Sequence, residues 1–129
     1  MKTKEDIESF LMRLELPHDE VGDGLWVVHG KEGEQIAIKL APPLLVCRVN
    51  LMDVPKQDRE ACFQALLELN AKEMMHGAYG VEDGKVVLSG ALQVDSLDFN
   101  ELQATIDDIT LAVTDHYARL ARFRPAATA

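Results

Sequence analysis

Residues 36–51, "IAIKLAPPLLVCRVNL", read as two apolar β-strands divided by Pro42-Pro43, because neither proline can donate to a sheet ladder. In the second strand a period of two sends Leu45, Cys47, Val49 and Leu51 to one face, and Leu44, Val46, Arg48 and Asn50 to the other. An antiparallel sheet covered by helices on one side needs only one apolar face. Leu44 and Val46 therefore ask for a second use of the sheet.

Upstream, "LWVVHG" (25–30) and "QIAIKLA" (35–41) predict strands joined by the polar loop "KEGE" (31–34), and "HDEVGDG" (18–24) predicts a turn. The chain opens on a helix: Thr3 with Asp6 three residues on is a capping-box-like start. Ile7, Phe10, Leu11 and Leu14 follow on one stripe until Pro17 stops it.

Downstream of Val54-Pro55 the period becomes helical, from about Lys56 to Met75, with Gly77 closing the segment. "AYGV" (78–81) and "KVVLSGALQV" (85–94) are strands joined through Glu82-Asp83-Gly84, where Asp-Gly supplies the positive φ of a tight hairpin. The last helix has Asp98 as N-cap, Glu101 three residues later and Leu97 set to staple against Leu102. Its stripe of Phe99, Leu102, Ile106, Ile109, Val113, Tyr117 and Leu120 carries it to about Phe123. The predicted order is α-β-β-β-α-β-β-α, an α+β domain over 1–124 with a single antiparallel sheet and helices on one side, followed by a fraying tail at 125–129.

A chain of 129 residues, 47% hydrophobic and 27% charged, is the size and composition of one soluble globular domain. Its net charge of −9 opposes binding to nucleic acid or to a membrane surface. Arg119, Arg122 and Arg124 gather where cations complement the end of the last helix. The start "MKTKEDIESF" has charges where a signal peptide needs its apolar run, and Cys47 and Cys62 sit among apolar neighbours as buried free thiols. A cytoplasmic location is the expectation.

Catalysis has little to stand on. His18, His29, His76 and His116 have no ligand spacing, no CxxC pair occurs, and "HGKEGEQ" (29–35) lacks the spacing of a phosphate loop. The reading is non-enzymatic, with no catalytic residue, no metal ligand and no cofactor. His116, beside the stripe of the last helix, reads as a partly buried histidine satisfied by a neighbour.

The apolar surplus is the stronger signal. On the second helix Cys62, Ala65, Leu66 and Leu69 form one group and Phe63, Leu67, Ala71 and Met74 another, together covering far more than one face. On the strands Trp26 and Val28 oppose Leu25 and Val27, and Val87 opposes Val86 and Leu88. Two surpluses suit either a symmetric homodimer plus an apolar partner segment, or a larger core that buries both.

The chain resembles the type III secretion chaperone-like superfamily, especially the class I (Tir-chaperone, CesT-type) members. The resemblance runs from "KEDIESFLMRLEL" (4–16) to Leu120 and is carried by Leu69-Asn70, Gly80, Asp83-Gly84, the strand with Val87 and Leu88, and "LDFNELQATIDDI" (97–109). A sister group, the YbjN-like proteins, shares the fold and a similar stretch. The resemblance implies a cytoplasmic homodimer that holds an unfolded N-terminal segment of a secreted effector without ATP; the YbjN-like alternative is a regulatory or accessory module binding a folded protein. In the chaperone case Phe10, Trp26, Val28, Leu44 and Val46 are the client-binding candidates, and Phe63, Leu66, Leu67 and Met74 the dimer-interface candidates.

Overall fold

Thr3 and Asp6 cap each other: the Asp6 N–H donates to Thr3 Oγ1 at 3.4 Å and the Thr3 N–H donates to the Asp6 carboxylate at 2.8 Å. These bonds satisfy amides that the first helical turn leaves without partners. The computed structural model describes residues 3–124, so the tail expected at 125–129 lies outside the described residues. From this cap α1 runs over Lys4–Arg13, followed by β1 (His18–Gly22), β2 (Leu25–His29), β3 (Gln35–Ala41) and β4 (Leu44–Asp53). Then come α2 (Arg59–Lys72), β5 (Ala78–Glu82), β6 (Lys85–Gln93), α3 (Phe99–Asp115) and α4 (Tyr117–Ala121).

The six strands form one antiparallel sheet in the order β1-β2-β3-β4-β6-β5. The α+β class and the single antiparallel sheet agree with the sequence reading, with three differences in detail. The stretch expected as a turn at 18–24 is the edge strand β1. Its five residues are polar or exposed along their whole length, so no alternation betrays it; its ladder to β2 is what makes it a strand. The long last helix breaks at His116, whose backbone ends α3 and starts α4. The second helix, Arg59–Lys72, falls three residues short of the expected span at each end; at its start Asp58 takes a left-handed φ of 60°.

The register decides the faces. Trp26 pairs with Ile38, Ile38 with Cys47 and Cys47 with Gly90, so these residues form one row across the inner face. Val28, Ile36, Leu45, Val49 and Leu88 extend that face, and Ile7, Leu11, Cys62, Leu66, Leu69, Leu102, Ile106 and Ile109 of the helices close over it in one core. Gly90 has no side chain because the His76 carbonyl and Thr105 Cγ2 occupy the space where a Cβ would go. The staple expected around the start of α3 is in place: Leu97 and Leu102 are both buried, and the Asp98 carboxylate accepts from the Glu101 N–H at 2.8 Å.

Candidate partner-binding surfaces

The outer face of the sheet carries the rows Leu25–Lys39–Val46–Ala91 and Val27–Ala37–Arg48–Ser89–Ala78, with Ala41, Leu44 and Gln93 beyond them. Lys39, Ala78 and Ala91 are exposed on these rows, and Val27, Ala37 and Arg48 line a cleft that reaches Val113 of α3 and Tyr117 of α4. Leu44 is 37% exposed and Val46 half-buried, so both lie on the open face, as the alternation of β4 required. Trp26 and Val28 do not join them. Each is only 1% exposed and packed in the core, because pairing with Ile38 and Ile36 turns them inward. Their strand neighbours Leu25 and Val27 take the outer positions. Continuing the β4 alternation across β3 into β2 would have picked those two instead.

Phe10 stands at the rim: it is partly buried against the core, with its ring 6.3 Å from that of Phe99, and Arg13 stacks over Phe99 at 4.0 Å. Its position is that of a packed side chain at the α1–α3 junction, away from the outer rows.

The two edges of the sheet differ in kind. At β5 the side chain of Asn70, on α2, accepts from the Tyr79 N–H at 2.7 Å and donates to the Tyr79 carbonyl at 3.1 Å. An amide side chain thereby takes the place of a neighbouring strand and blocks that edge. Asn70 was legible as part of a motif, but its task was not, because it depends on a contact nine residues along the chain. At β1 no such partner exists among the described residues. The strand is acidic, with Asp19 and Glu20, and is bulged between Glu20 and Gly22. Lys4 bridges Glu20 at 2.6 Å and Asp23 at 3.5 Å, and its pKa is raised by those two carboxylates.

On α2 the dimer candidates separate. Leu66 is 4% exposed and belongs to the core, facing the sheet with Cys62, Ala65 and Leu69. Phe63 and Met74 are partly buried against that core. Leu67 is 67% exposed, with exposed Gln64 and Ala71 one turn away on either side. Rotation of the helix by one residue, 100°, is the whole difference between Leu66 and Leu67.

His116 Nδ1 lies 2.6 Å from the Tyr79 hydroxyl and its Nε2 lies 2.6 Å from the Glu73 carboxylate, a chain that runs from buried Tyr79 on β5 through the buried His116 at the α3–α4 break to the exposed Glu73 just after α2. Burial, then the charges of Glu73 and Asp108, push the Tyr79 phenol up. Burial also pushes the Cys47 thiol up to about 12, and raises Cys62; both are free thiols. Among the described residues no three His, Cys, Asp or Glu side chains converge to hold a metal, and no helix is long and apolar enough to cross a membrane.

A protein-family model, CesT_Tir_1, matches residues 1–125. No curated protein matches the chain. Several solved structures share its fold. A chain of the heterodimeric complex ExoU–SpcU from the type III secretion system of Pseudomonas aeruginosa aligns with a TM-score of 0.70 and 18% identity over 92% of this chain and 97% of that one. YbjN from E. coli, described as a putative transcription regulator, aligns at 0.69 with 13% identity, covering 92% and 93%. A chain of the complex between the Yersinia pestis type III secretion chaperone SycH and a stable fragment of YscM2 aligns at 0.65 with 14% identity, covering 88% and 98%.

Proposed function

Because the chain belongs to the CesT_Tir_1 family, we propose that it is a non-enzymatic, chaperone-like binding protein of the cytoplasm that holds an extended N-terminal segment of a secreted effector. The observation that carries this reading is the open apolar face formed by Leu25, Val27, Ala37, Leu44 and Val46, on a sheet whose other face already holds the complete core. A monomeric domain gains nothing from a second apolar face, whereas an unfolded segment needs one to keep its own apolar side chains out of water. The free edge at β1 adds a place for the segment's backbone to pair, while Asn70 closes the edge at β5. Two of the similar folds were solved as complexes with a second protein, which supports a partner of this kind.

The homodimer in this reading forms through α2, with Leu67 at its centre and Phe63 and Met74 at its margin; a two-fold axis would place the same stripe on both sides of the contact. The client face is Leu44 and Val46 joined by Leu25 and Val27, in place of the buried Trp26 and Val28. The double variant Leu44→Ser, Val46→Ser tests this: client binding should be lost while the dimer and the melting temperature are kept. Retained client would refute the assignment of this face. The similarity to YbjN favours a second reading, a regulatory module docking a folded protein. In that case the captured partner would resist limited proteolysis as a whole domain, not through a protected terminal segment.

A further inference from the structure

We propose that the sheet carries a further site at the margin of its apolar face: the cleft where β3 and β4 part, which takes a lysine or arginine side chain of an extended peptide. This deepens the chaperone reading and rests on it, since it names one side chain that a held segment should contain.

β3 and β4 pair only from Ala37↔Arg48 to Ala41↔Leu44. Beyond that point β3 stays paired to β2 as far as Gln35, and β4 to β6 as far as Asp53, so the sheet splits. The split opens a cleft of about 630 Å³, lined by Glu34, Gln35, Arg48 and Asn50, with Val113 of α3 and Tyr117 of α4 on its helical side. That volume lies within the range of small-ligand sites.

The polar groups of the cleft are unbalanced. Glu34 is 8% exposed, and among the described residues neither of its carboxylate oxygens has a hydrogen-bond partner. Its carboxylate lies over the Cα of Gly30, in space that any side chain at position 30 would fill. Two cations line the same cleft, yet neither answers it. Arg48 is drawn across the sheet to Glu82, Nη1 to Oε2 at 2.6 Å, and Arg124 lies over the Tyr117 ring at 5.2 Å. The Nε of Arg48 is itself buried without an acceptor.

A shielded carboxylate without a partner is costly, and a cationic donor relieves it most directly. The cleft thus asks for one cation, to meet Glu34, and for one carbonyl, to accept from Arg48 Nε–H. A basic residue within an extended peptide brings both, and its backbone can continue along the strand ends that the split leaves unpaired. The exposed Tyr117 ring offers a face for the aliphatic stem or the charge. A net charge of −9 favours approach of such a segment.

The test uses ¹⁵N-labelled protein and two capped pentapeptides of alternating threonine and valine, one with arginine at its centre and one with norleucine. The arginine peptide should move the amides of Gln35, Asn50 and Tyr117. Its affinity should fall on the order of tenfold or more in Glu34→Gln, and the norleucine peptide should bind as weakly to the wild type. Because Glu34→Gln removes an unpaired charge without changing shape, its melting temperature should equal or exceed that of the wild type, which separates lost binding from lost folding. Equal binding of the two peptides, an unaffected Glu34→Gln, or shifts confined to other residues would overturn the site. If a native client is held equally by wild type and Glu34→Gln, the site fails and the chaperone reading stands. Selective binding of the arginine peptide with no client ever captured would do the reverse.

Discussion

Replacing Asn70 by alanine removes both hydrogen bonds to Tyr79, one of 2.7 Å and one of 3.1 Å, at a half-buried position on α2. Net losses of about 0.5–1.5 kcal/mol per bond, with the Tyr79 N–H left poorly solvated, sum to about 2 kcal/mol. For a domain of this size that is a fall in melting temperature of about 6–10 °C. Asn70→Asp keeps the acceptor for the Tyr79 N–H but loses the donor and sets a charge against the Tyr79 carbonyl, so it should not rescue. Thermal denaturation followed by circular dichroism gives the stability. Hydrogen exchange should show the Tyr79 amide losing its protection in Asn70→Ala ahead of the amides of β4 and β6. The freed edge should also raise self-association at high concentration. A melting temperature within about 2 °C of wild type, with Tyr79 still protected, would refute the view that Asn70 closes this edge.

Leu66→Ala should cost about 2–5 kcal/mol of stability, whereas Leu67→Ser should change stability by no more than about 0.5 kcal/mol yet weaken the proposed dimer in sedimentation. Cys47, with its thiol pushed up to about 12 by burial, should resist iodoacetamide in the native protein and react once urea unfolds it, as mass spectrometry would show. The raised Tyr79 phenol keeps its proton in the folded state at pH values where the unfolded chain has lost it. Its contribution to stability is therefore complete below pH 10 and declines as the pH rises above that, and Tyr79→Phe should flatten this alkaline decline in denaturant titrations.

What could be read from the sequence was what local chemistry fixes. The caps at Thr3–Asp6 and Asp98–Glu101 lie within one helical turn, and the alternation of β4 is set by its own pleat, so Leu44 and Val46 came out on the correct face. Trp26 could not be oriented from its own strand, which is apolar on both sides; the pairing Trp26↔Ile38↔Cys47 decides it, two strands away. β1 exists through its ladder alone, since its residues bury almost nothing. On α2 apolar residues extend around so much of the helix that Leu66 and Leu67 are separable only once the sheet beneath is in place. The imbalance at Glu34 had no local signal at all. It arises from where two strands separate and from an arginine turning toward Glu82.

Whether the open sheet face holds an extended client is answered by isolating the tagged protein from a lysate of the cells that make it. The complex is then weighed by light scattering, and its protease-protected fragments are mapped. The expected species is a dimer carrying one dominant partner, which is protected only along an N-terminal segment and is absent from the Leu44→Ser, Val46→Ser variant. A species free of partner, or a partner retained by that variant, would contradict it.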